Sequence, residues 1–546
     1  MKFWLAILSL CVACSGLGQL MDAGPIFAAA KRQHVVAGAC PSTITVTTSK
    51  NWSDLAPQPT SADLVVVRNA ATLTVDVSGD CCGIQLGIAG GGSGLLSIPP
   101  GSVLTCAGNV TLGEGASYGT LQFDTFADST LKIGGDLVLT SGAWTTYAGA
   151  GTIEFNSAGD QTVGSLVYGR LVTSGGGIKS LGANTGANAG ARITIIGVNT
   201  TLDATANNYQ FTVSSAWTNN GTFNARAGGV IFGGASAQNL SGATTFNNFT
   251  SAGPALTLYS SITVNSNLAI TAGKITTGAN TLAMGSGGII TDYSSVRFVV
   301  GNLQKAFATG SGQSFAYRLG KAGGFAAPIT LANLNVTVAG NILATTTSSD
   351  HADVTNSGID PNLNVTRYWT LTAAGGLVAS TCDVICGFSA GDIDPGATTA
   401  NFVIRKLDGT WATTTTGTRT STSTEATGLS SFGDFVVGEQ LIDHYVVAAT
   451  SPQTTGVNFG TTVTAKDILN VTTIYDSATT VTMSSSTSNA QYDADELGAF
   501  DNYIKALVSG SFTIITKDAV AEMVDLIATD DLARTGTRSS LVVNAP

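Results

Sequence analysis

A short block of this sequence occurs twice. G-T-I-E-F-N-S-A-G-D-Q-T-V, at residues 151–163, returns as G-G-V-I-F-G-G-A-S-A-Q-N-L at residues 228–240, and Gln161 aligns with Gln238. Only glycines, apolar residues and small polar residues recur, so the block repeats a shape and no reactive group. Because stacked repeats bury a core that one copy cannot bury alone, the block favours a scaffold over an enzyme.

The composition indicates many short strands joined by tight turns. Charged residues make up 11% of the 546 residues, and 66 residues are glycine. An average soluble protein has roughly 25% charged residues. Threonine and valine favour strands, and glycine supplies the positive φ that sharp corners need. The sequence therefore predicts an all-β fold, with a length that suits about three or four domains.

The charge excludes two classes of partner. The formal net charge is -11, and the 24 Lys and Arg residues form no basic run after the first residues. Binding to nucleic acid or to an anionic membrane surface needs a concentrated positive patch. We therefore expect no nucleic-acid partner.

Residues 1–19 are typical of a signal peptide. Lys2 precedes an apolar run at residues 3–13, and small residues follow. That run is too short to span a bilayer, and no later segment is apolar enough to do so. We expect a secreted or cell-surface protein without membrane insertion. Cys14 offers an alternative, a bacterial lipoprotein signal with lipidation at this residue.

Six cysteines follow the signal peptide, and an even number in an exported chain favours disulfides over metal binding. Cys382 and Cys386 are close enough to suggest a local disulfide across a bend. Adjacent Cys81 and Cys82 point to opposite faces of a strand, so at most one faces the core. Spacing alone does not give the pairing. The disulfide candidates are Cys40, Cys81, Cys82, Cys106, Cys382 and Cys386.

Short alternating apolar runs separated by glycine turns extend from about residue 44 to residue 285. Alternation at period two predicts strands throughout, in either a sandwich or a coil of parallel rungs. Stretches with the pattern of a strand, a tight turn and a second strand favour the coil. The segment also has almost none of the charged residues that protect an open sheet edge, which again favours the coil. We predict a right-handed parallel β-helix over residues 40–295.

Several stretches resemble known proteins. N-W-S-D-L-A-P-Q-P-T-S-A-D-L-V-V-V from Asn51, T-T-F-N-N-F-T from Thr244 and I-T-V-N-S-N-L-A-I-T-A-G-K from Ile262 are similar to the β-helical repeats of large exported surface proteins of Bacteroidetes-like bacteria. These are shape motifs. The resemblance therefore implies fold and location well, and activity poorly.

The same resemblance divides the rest of the chain. R-Y-W from Arg367 and L-S-S-F-G-D-F from Leu429 are similar to a β-sandwich module that follows such repeats, here residues 296–440. H-Y-V-V-A-A-T-S-P from His444 resembles the opening of bacterial immunoglobulin-like domains of the filamin or invasin type, which implies such a domain at residues 441–546. Further repeats or a sorting tail after it would be usual for this family.

Catalytic groups are few. The three histidines, His34, His351 and His444, lie in three different regions, and no hydrolase or phosphate-loop motif occurs. We expect no enzyme activity. The alternative is a carbohydrate-active β-helix, either a polysaccharide lyase or a glycan-binding module. The tryptophans considered as sugar-stacking platforms are Trp52, Trp144, Trp217 and Trp411.

Two acidic groups are candidate calcium sites, since hard cations prefer several oxygen ligands. Asp392 and Asp394 alternate in G-D-I-D-P-G, which is also a common turn sequence. Asp493, Asp495 and Glu496 form the densest acidic patch. No other cofactor is expected.

Asp350, His351 and Asp353 match a transition-metal pattern, although a polar loop is the simpler interpretation. The predicted function is a non-catalytic, elongated extracellular scaffold with an adhesive role. The expected partners are surface glycans or other proteins, including further copies of this chain that pair through exposed strand ends.

Overall fold

The computed structural model describes residues 40–123, 128–140, 144–147, 151–183 and 190–546, with the backbone only for 144–147. The predicted signal peptide, Cys14 and His34 lie outside these residues. The protein is all-β, 3% helical and 59% strand, and contains a parallel β-solenoid of about 11 turns. The all-β fold and the β-helix are thus confirmed.

The solenoid is built from many short strands. They are β1 Ser42–Val46, β2 Lys50–Asn51, β3 Asp63–Val67, β4 Ala71–Thr74, β5 Gly79–Cys81, β6 Gly83–Leu86, β7 Gly94–Ile98, β8 Val103–Cys106, β9 Val110–Leu112, β10 Gly119–Phe123, β11 Thr130–Ile133, β12 Leu137–Leu139, β13 Trp144–Tyr147, β14 Thr152–Phe155, β15 Gln161–Val163, β16 Val167–Thr173, β17 Ile178–Leu181, β18 Gly190–Ile196, β19 Thr201–Asp203, β20 Phe211–Asn219, β21 Thr222–Asn224, β22 Gly229–Phe232, β23 Gln238–Ser241, β24 Thr244–Ser251, β25 Ala255–Leu258, β26 Ile262–Ile270, β27 Lys274–Met284 and β28 Ile289–Thr291.

These strands stack in parallel ladders, one above another. One ladder runs β2-β4-β7-β10-β13, and a second runs β1-β3-β6-β9-β12. In the first, Leu73 pairs with Leu96, and Leu96 pairs with Leu121. All three side chains are fully buried. A slip of one residue would expose them, so the alternating sequence fixes the register.

Glycine makes the close approach between turns feasible at the corners. Gly242 has a φ of 82°, and a Cβ at this position would lie 1.8 Å from the carbonyl oxygen of Asn219. Only a residue without a side chain fits there.

The chain then changes from parallel to antiparallel pairing. The next strands are β29 Val299–Phe307, β30 Gly310–Tyr317, β31 Ile329–Val338, β32 Gly340–Thr347, β33 Ile359–Ala374, β34 Val378–Gly387, β35 Val403–Asp408, β36 Thr410–Thr413, β37 Thr415–Thr420, β38 Ser423–Leu429 and β39 Asp434–Gln440. β29 pairs in parallel with β27 and antiparallel with β32. Short 3-10 helices lie at Trp52–Asp54, Val354–Ser357, Ala390–Asp392 and Thr399–Asn401.

The middle region and the solenoid share one hydrophobic core, which extends from Val46 to Val437. One antiparallel sheet of the middle region has the order β30-β31-β34-β38-β37. Trp369 on β33 is fully buried and donates to the carbonyl oxygen of Ala327, whereas neighbouring Tyr368 is half-buried. The core therefore passes without a break through the predicted boundary at residues 295 and 296.

The last strands are β40 His444–Ala448, β41 Gln453–Thr454, β42 Phe459–Lys466, β43 Thr480–Ser485, β44 Ala490–Asp493, β45 Ile504–Ala506, β46 Ser511–Asp518, β47 Met523–Asp530 and β48 Thr535–Asn544. They form two sheets, β40-β42-β46-β44 and β41-β48-β47-β43-β45. A separate hydrophobic core from Ile442 to Val543 belongs to these strands.

Candidate functional site

The two copies of the duplicated block use their phenylalanines in the same way. Phe155 and Phe232 are both fully buried. Each ring contacts an aromatic ring of the following turn: Phe155 lies 6.5 Å from Tyr168, and Phe232 lies 5.1 Å from Phe249, between centroids. The recurring ring therefore packs one turn onto the next.

The glutamines of the block are also internal. The Nε2 of Gln161 donates to the carbonyl oxygens of Ile133, at 2.7 Å, and of Gly135. The Nε2 of Gln238 donates to the carbonyl oxygen of Val213 at 2.9 Å. In both copies the amide donates to backbone carbonyls of the preceding turn. The carbonyls of Ile133 and Val213 also accept from the backbone N–H groups of Asn156 and Gly233, so the glutamine adds a second hydrogen bond to each.

Two buried lysines also donate hydrogen bonds to backbone carbonyls, through their charged ammonium groups. Lys179 lies one turn after Gln161 and pairs with it in the strand ladder. Its Nζ donates to the carbonyl oxygens of Ser157 and Gly159 at 2.8 and 2.9 Å. The Nζ of Lys305 donates to three corner carbonyls of residues 285–288. Burial lowers the pKa of each lysine to about 8. The sequence analysis did not identify either lysine.

Two of the four tryptophans considered for sugar stacking are buried. Trp52 and Trp217 are 1% and 0% exposed, so the interpretation of these two as stacking platforms is wrong. The half-buried Trp411 donates from Nε1 to Asp353 at 2.8 Å. The side chain of Trp144 lies outside the described residues. The two buried rings fill the solenoid interior.

Carboxylates of the solenoid have local partners. Lys132 forms an ion pair with Glu154 at 3.5 Å. Asp203 forms an ion pair with Arg226 at 2.8 Å. These pairs link neighbouring strands and corners of the solenoid.

Asp392 and Asp394 have different environments. Asp392 accepts from the buried Arg367 guanidinium at 2.8 Å. Burial acts to raise the pKa of Asp392, but hydrogen bonds from Arg367 and Ser389 outweigh it and hold the pKa below its usual value. Asp394 accepts from the backbone N–H of Asn364 and from the Thr366 hydroxyl, both at 2.9 Å. The Asp392 carboxylate is therefore already paired with a positive charge of the protein, the Arg367 guanidinium.

The acidic patch of Asp493, Asp495 and Glu496 organises its own loop. Asp493 accepts from the backbone N–H groups of Glu496 and Gly498 at 2.8 and 2.9 Å. Glu496 forms an ion pair with Lys505 at 3.1 Å. Calcium at this patch remains a prediction.

His351 lies in a cluster of aromatic and acidic side chains. Its ring contacts Tyr368 and Trp411 edge-on, and its Nε2 lies 3.2 Å from an Asp434 oxygen. Its Nδ1 accepts from the backbone N–H of Asp353. Across the described parts of the chain, no group of three or more His, Cys, Asp or Glu side chains is placed to hold a metal ion.

Among the candidate cysteines, Cys40 and Cys82 form a disulfide. Cys81 faces the opposite way, as predicted, into the core, where its sulfur lies 3.0 Å from that of Cys106. The expected local disulfide within residues 382–386 is wrong, because both cysteines are free and lie on one extended strand. Four residues of strand span about 13 Å, too far for a disulfide.

A buried ion pair links the middle region to the last strands. Arg405 on β35 donates to Asp467, just after β42, at 2.7 Å, and both side chains are at most 3% exposed. Gln440 donates to the same carboxylate. Close packing supports the contact, since a Cβ on Gly358 would lie 2.9 Å from an Asp467 oxygen.

No protein-family model matches this chain, and neither does any curated protein. Within the described ranges, no helix is long and apolar enough to cross a membrane.

Proposed function

We propose that this protein is a non-catalytic extracellular scaffold with an adhesive role at a cell surface. One observation carries the proposal: the residues that recur in the duplicated block, Phe155 with Phe232 and Gln161 with Gln238, are used inside the solenoid for packing and backbone hydrogen bonding. A repeat that retains only its internal packing residues is typical of a structural scaffold.

The continuous core supports a mechanical role. A single cluster of buried residues runs from the solenoid into the middle region, so a load on one part passes to the other through packed side chains. The buried Arg405–Asp467 pair extends this linkage to the last strands. We infer that the middle region is a β-sandwich module and that the last strands form an immunoglobulin-like domain.

The proposed location is secreted or cell-surface. The Cys40–Cys82 disulfide supports it, because disulfides persist in oxidising compartments. The proposed partners are surface glycans, other proteins or further copies of the chain. We also propose an origin among the surface proteins of Bacteroidetes-like bacteria, on the resemblance given above.

Two measurements test this function. The purified chain is screened for cleavage of a polysaccharide panel and for binding to a glycan array, and intact producing cells are treated with protease to ask whether the protein is accessible. We expect surface accessibility and no cleavage products. Release of unsaturated or reducing oligosaccharides by the chain would contradict the proposal and favour a lyase or glycoside hydrolase.

A further inference from the structure

Two cysteines occupy the same position on successive turns of the solenoid. Cys81 ends β5 and Cys106 ends β8, and the two residues are paired in the parallel ladder of these strands. The same column continues with Ile133 and Phe155, and all four side chains are fully buried. One cysteine can serve as a small apolar core residue. Two in direct register place their thiols side by side.

The two sulfur atoms are closer than nonbonded packing places them. They lie 3.0 Å apart. Carbon atoms in contact are separated by about 3.5–4.0 Å, and sulfur is the larger atom. A disulfide joins residues whose Cα atoms are about 4.4–6.8 Å apart, and neighbouring strands of a sheet are spaced about 4.8 Å apart. The two backbones are therefore in position for a bond, and the sulfurs need to approach by only about 1 Å.

The neighbouring residue indicates the redox conditions that this segment meets. Cys82, next in the chain to Cys81, forms the disulfide with Cys40. Because disulfides form and persist in oxidising compartments, the same conditions act on Cys81. A shared metal ion is a different use of two thiols. Among the residues that the structure describes, however, no third His, Cys, Asp or Glu is placed to complete such a site.

We propose that Cys81 and Cys106 form a second disulfide, which cross-links two successive turns of the solenoid. The oxidant is the disulfide of a small molecule or of an oxidoreductase. One cysteine thiolate attacks a sulfur of that disulfide and releases a thiol, and the other then attacks the mixed disulfide and releases a second thiol. The two cysteines lose two protons and two electrons, and the oxidant gains them. The proposal rests on the oxidising conditions that the Cys40–Cys82 bond indicates, and not on the scaffold function.

We expect the bond to form while the chain is still folding. Both thiols are buried in the folded protein, and burial is the main cause that raises the pKa of Cys106 well above its ordinary value. Because the thiolate is the reactive form, the folded pair should react slowly with oxidants and with alkylating reagents alike. The state of the two thiols is therefore measured on the unfolded chain.

The test uses the full chain, produced with export into an oxidising compartment. The chain is unfolded in denaturant that already contains an alkylating reagent, so that free thiols are blocked before they exchange. Trypsin then releases residues 69–132, which contain three of the cysteines, joined to residues 33–50 through the disulfide of Cys40. Mass spectrometry of this linked pair should show no alkyl group.

A second peptide of the same digest is the matched control. Residues 368–405 contain Cys382 and Cys386, which are free and lie too far apart on one strand to bond. This peptide should carry two alkyl groups, which shows that the reagent reaches thiols that are buried in the folded protein. Two alkyl groups on the linked pair as well would overturn the proposal.

A double variant identifies the partners. Cys40→Ser with Cys82→Ser leaves Cys81 and Cys106 as the only cysteines of residues 33–132. In a double variant that keeps the wild-type circular dichroism, residues 69–132 should carry no alkyl group before reduction and two after it. Two before reduction would overturn the proposal, because the wild-type bond would then join Cys106 to Cys82. In the otherwise wild-type chain, Cys106→Ala should give one alkyl group, on the cysteine left without a partner.

Discussion

The solenoid and the last strands bury their apolar side chains through different strand pairings. In the solenoid, the parallel register places the same residue type above itself in successive turns, as in the ladder of Leu73, Leu96 and Leu121. In the last strands, antiparallel pairing joins distant segments once each, as when β42 pairs with β46. The solenoid core continues into the middle region, whereas the last strands have a core of their own. We therefore expect the solenoid and the middle region to unfold together and the last strands to unfold separately.

The largest expected effect is loss of an aromatic ring from the solenoid interior. Trp217 is fully buried among Phe211, Phe223 and Phe246, and its Nε1 donates to Thr244. Trp217→Ala should lower the free energy of unfolding of the solenoid by about 3–5 kcal/mol. Amide hydrogen exchange, measured at increasing denaturant concentration, reports the unfolding of each region separately.

Only the solenoid and middle-region amides should lose protection in Trp217→Ala. The matched control is Tyr259→Ala, since Tyr259 lies on the same solenoid and is 63% exposed; its effect should stay within about 0.5 kcal/mol. Equal loss of protection in residues 441–546 would show that the two cores do not unfold separately.

The next effect concerns the link between the regions. Asp467→Asn keeps the shape and the backbone hydrogen bonds of Asp467 but leaves the buried Arg405 charge uncompensated. Breaking a buried pair in this way costs about 3–5 kcal/mol. Because the cost falls on the junction, two unfolding transitions should separate further in calorimetry.

The control for the junction is Glu496→Gln, which breaks the Lys505 pair at an exposed site of the last strands. Exposed pairs contribute about 0–1 kcal/mol. A single unchanged transition in Asp467→Asn would mean that the ion pair does not couple the regions.

The solenoid was the more predictable of the two regions. Period-two alternation and glycine corners are local signals, so residues 40–295 were assigned to a β-helix from the sequence, and the opposite directions of Cys81 and Cys82 followed from strand geometry. Which cysteine meets Cys82 was not predictable, because the partner depends on which turn lies beside which. Register between turns is a property of the whole stack.

The polar groups were the less predictable part. Lys179 and Lys305 look like surface residues in a sequence, and only their phase, shared with neighbouring inward residues such as Leu181 and Leu303, could have indicated burial. Asp392 was identified from a local motif, but its partner Arg367 comes from another segment of the chain. Sites assembled from distant segments carry no local spacing signal.

A pH-dependent effect is expected from Lys305, the buried lysine of β29, where the solenoid ladder meets the middle region. Burial lowers the pKa of Lys305 to about 8, whereas an unfolded lysine titrates near 10.4. Between these values the unfolded state binds more protons, so stability should rise with pH across this window and stay level below it. The free energy of unfolding, measured from pH 7 to 10.5 for wild type minus Lys305→Met, gives the effect.

Subtracting the Lys305→Met variant removes the titration of tyrosines and other groups, which both chains share. The rise should appear in the unfolding transition of the solenoid and middle region, which share one core, and not in that of the last strands. A flat difference across the window would mean that the three carbonyl acceptors hold the ammonium form strongly enough to restore its ordinary pKa.

The smallest expected effect compares the two copies of the duplicated block. Gln161 uses both ends of its amide, since its Oε1 accepts from the Ser157 N–H and its Nε2 donates to two carbonyls. Gln238 donates once, and its Oε1 is buried without a partner. Gln161→Leu should therefore cost about 2–3 kcal/mol, because the Ser157 N–H and the Gly135 carbonyl both lose their hydrogen bond to the side chain.

Gln238→Leu should cost about 1 kcal/mol or less, because it removes an unsatisfied oxygen together with one hydrogen bond. The two variants carry the same chemical change at aligned positions of one repeat, so chemical denaturation of both measures how far a repeated residue has a repeated energy. Equal losses would mean that each turn of the solenoid contributes alike. The expected inequality means that the repeat conserves the direction of the side chain while its hydrogen bonds are set by the corner of the turn before it.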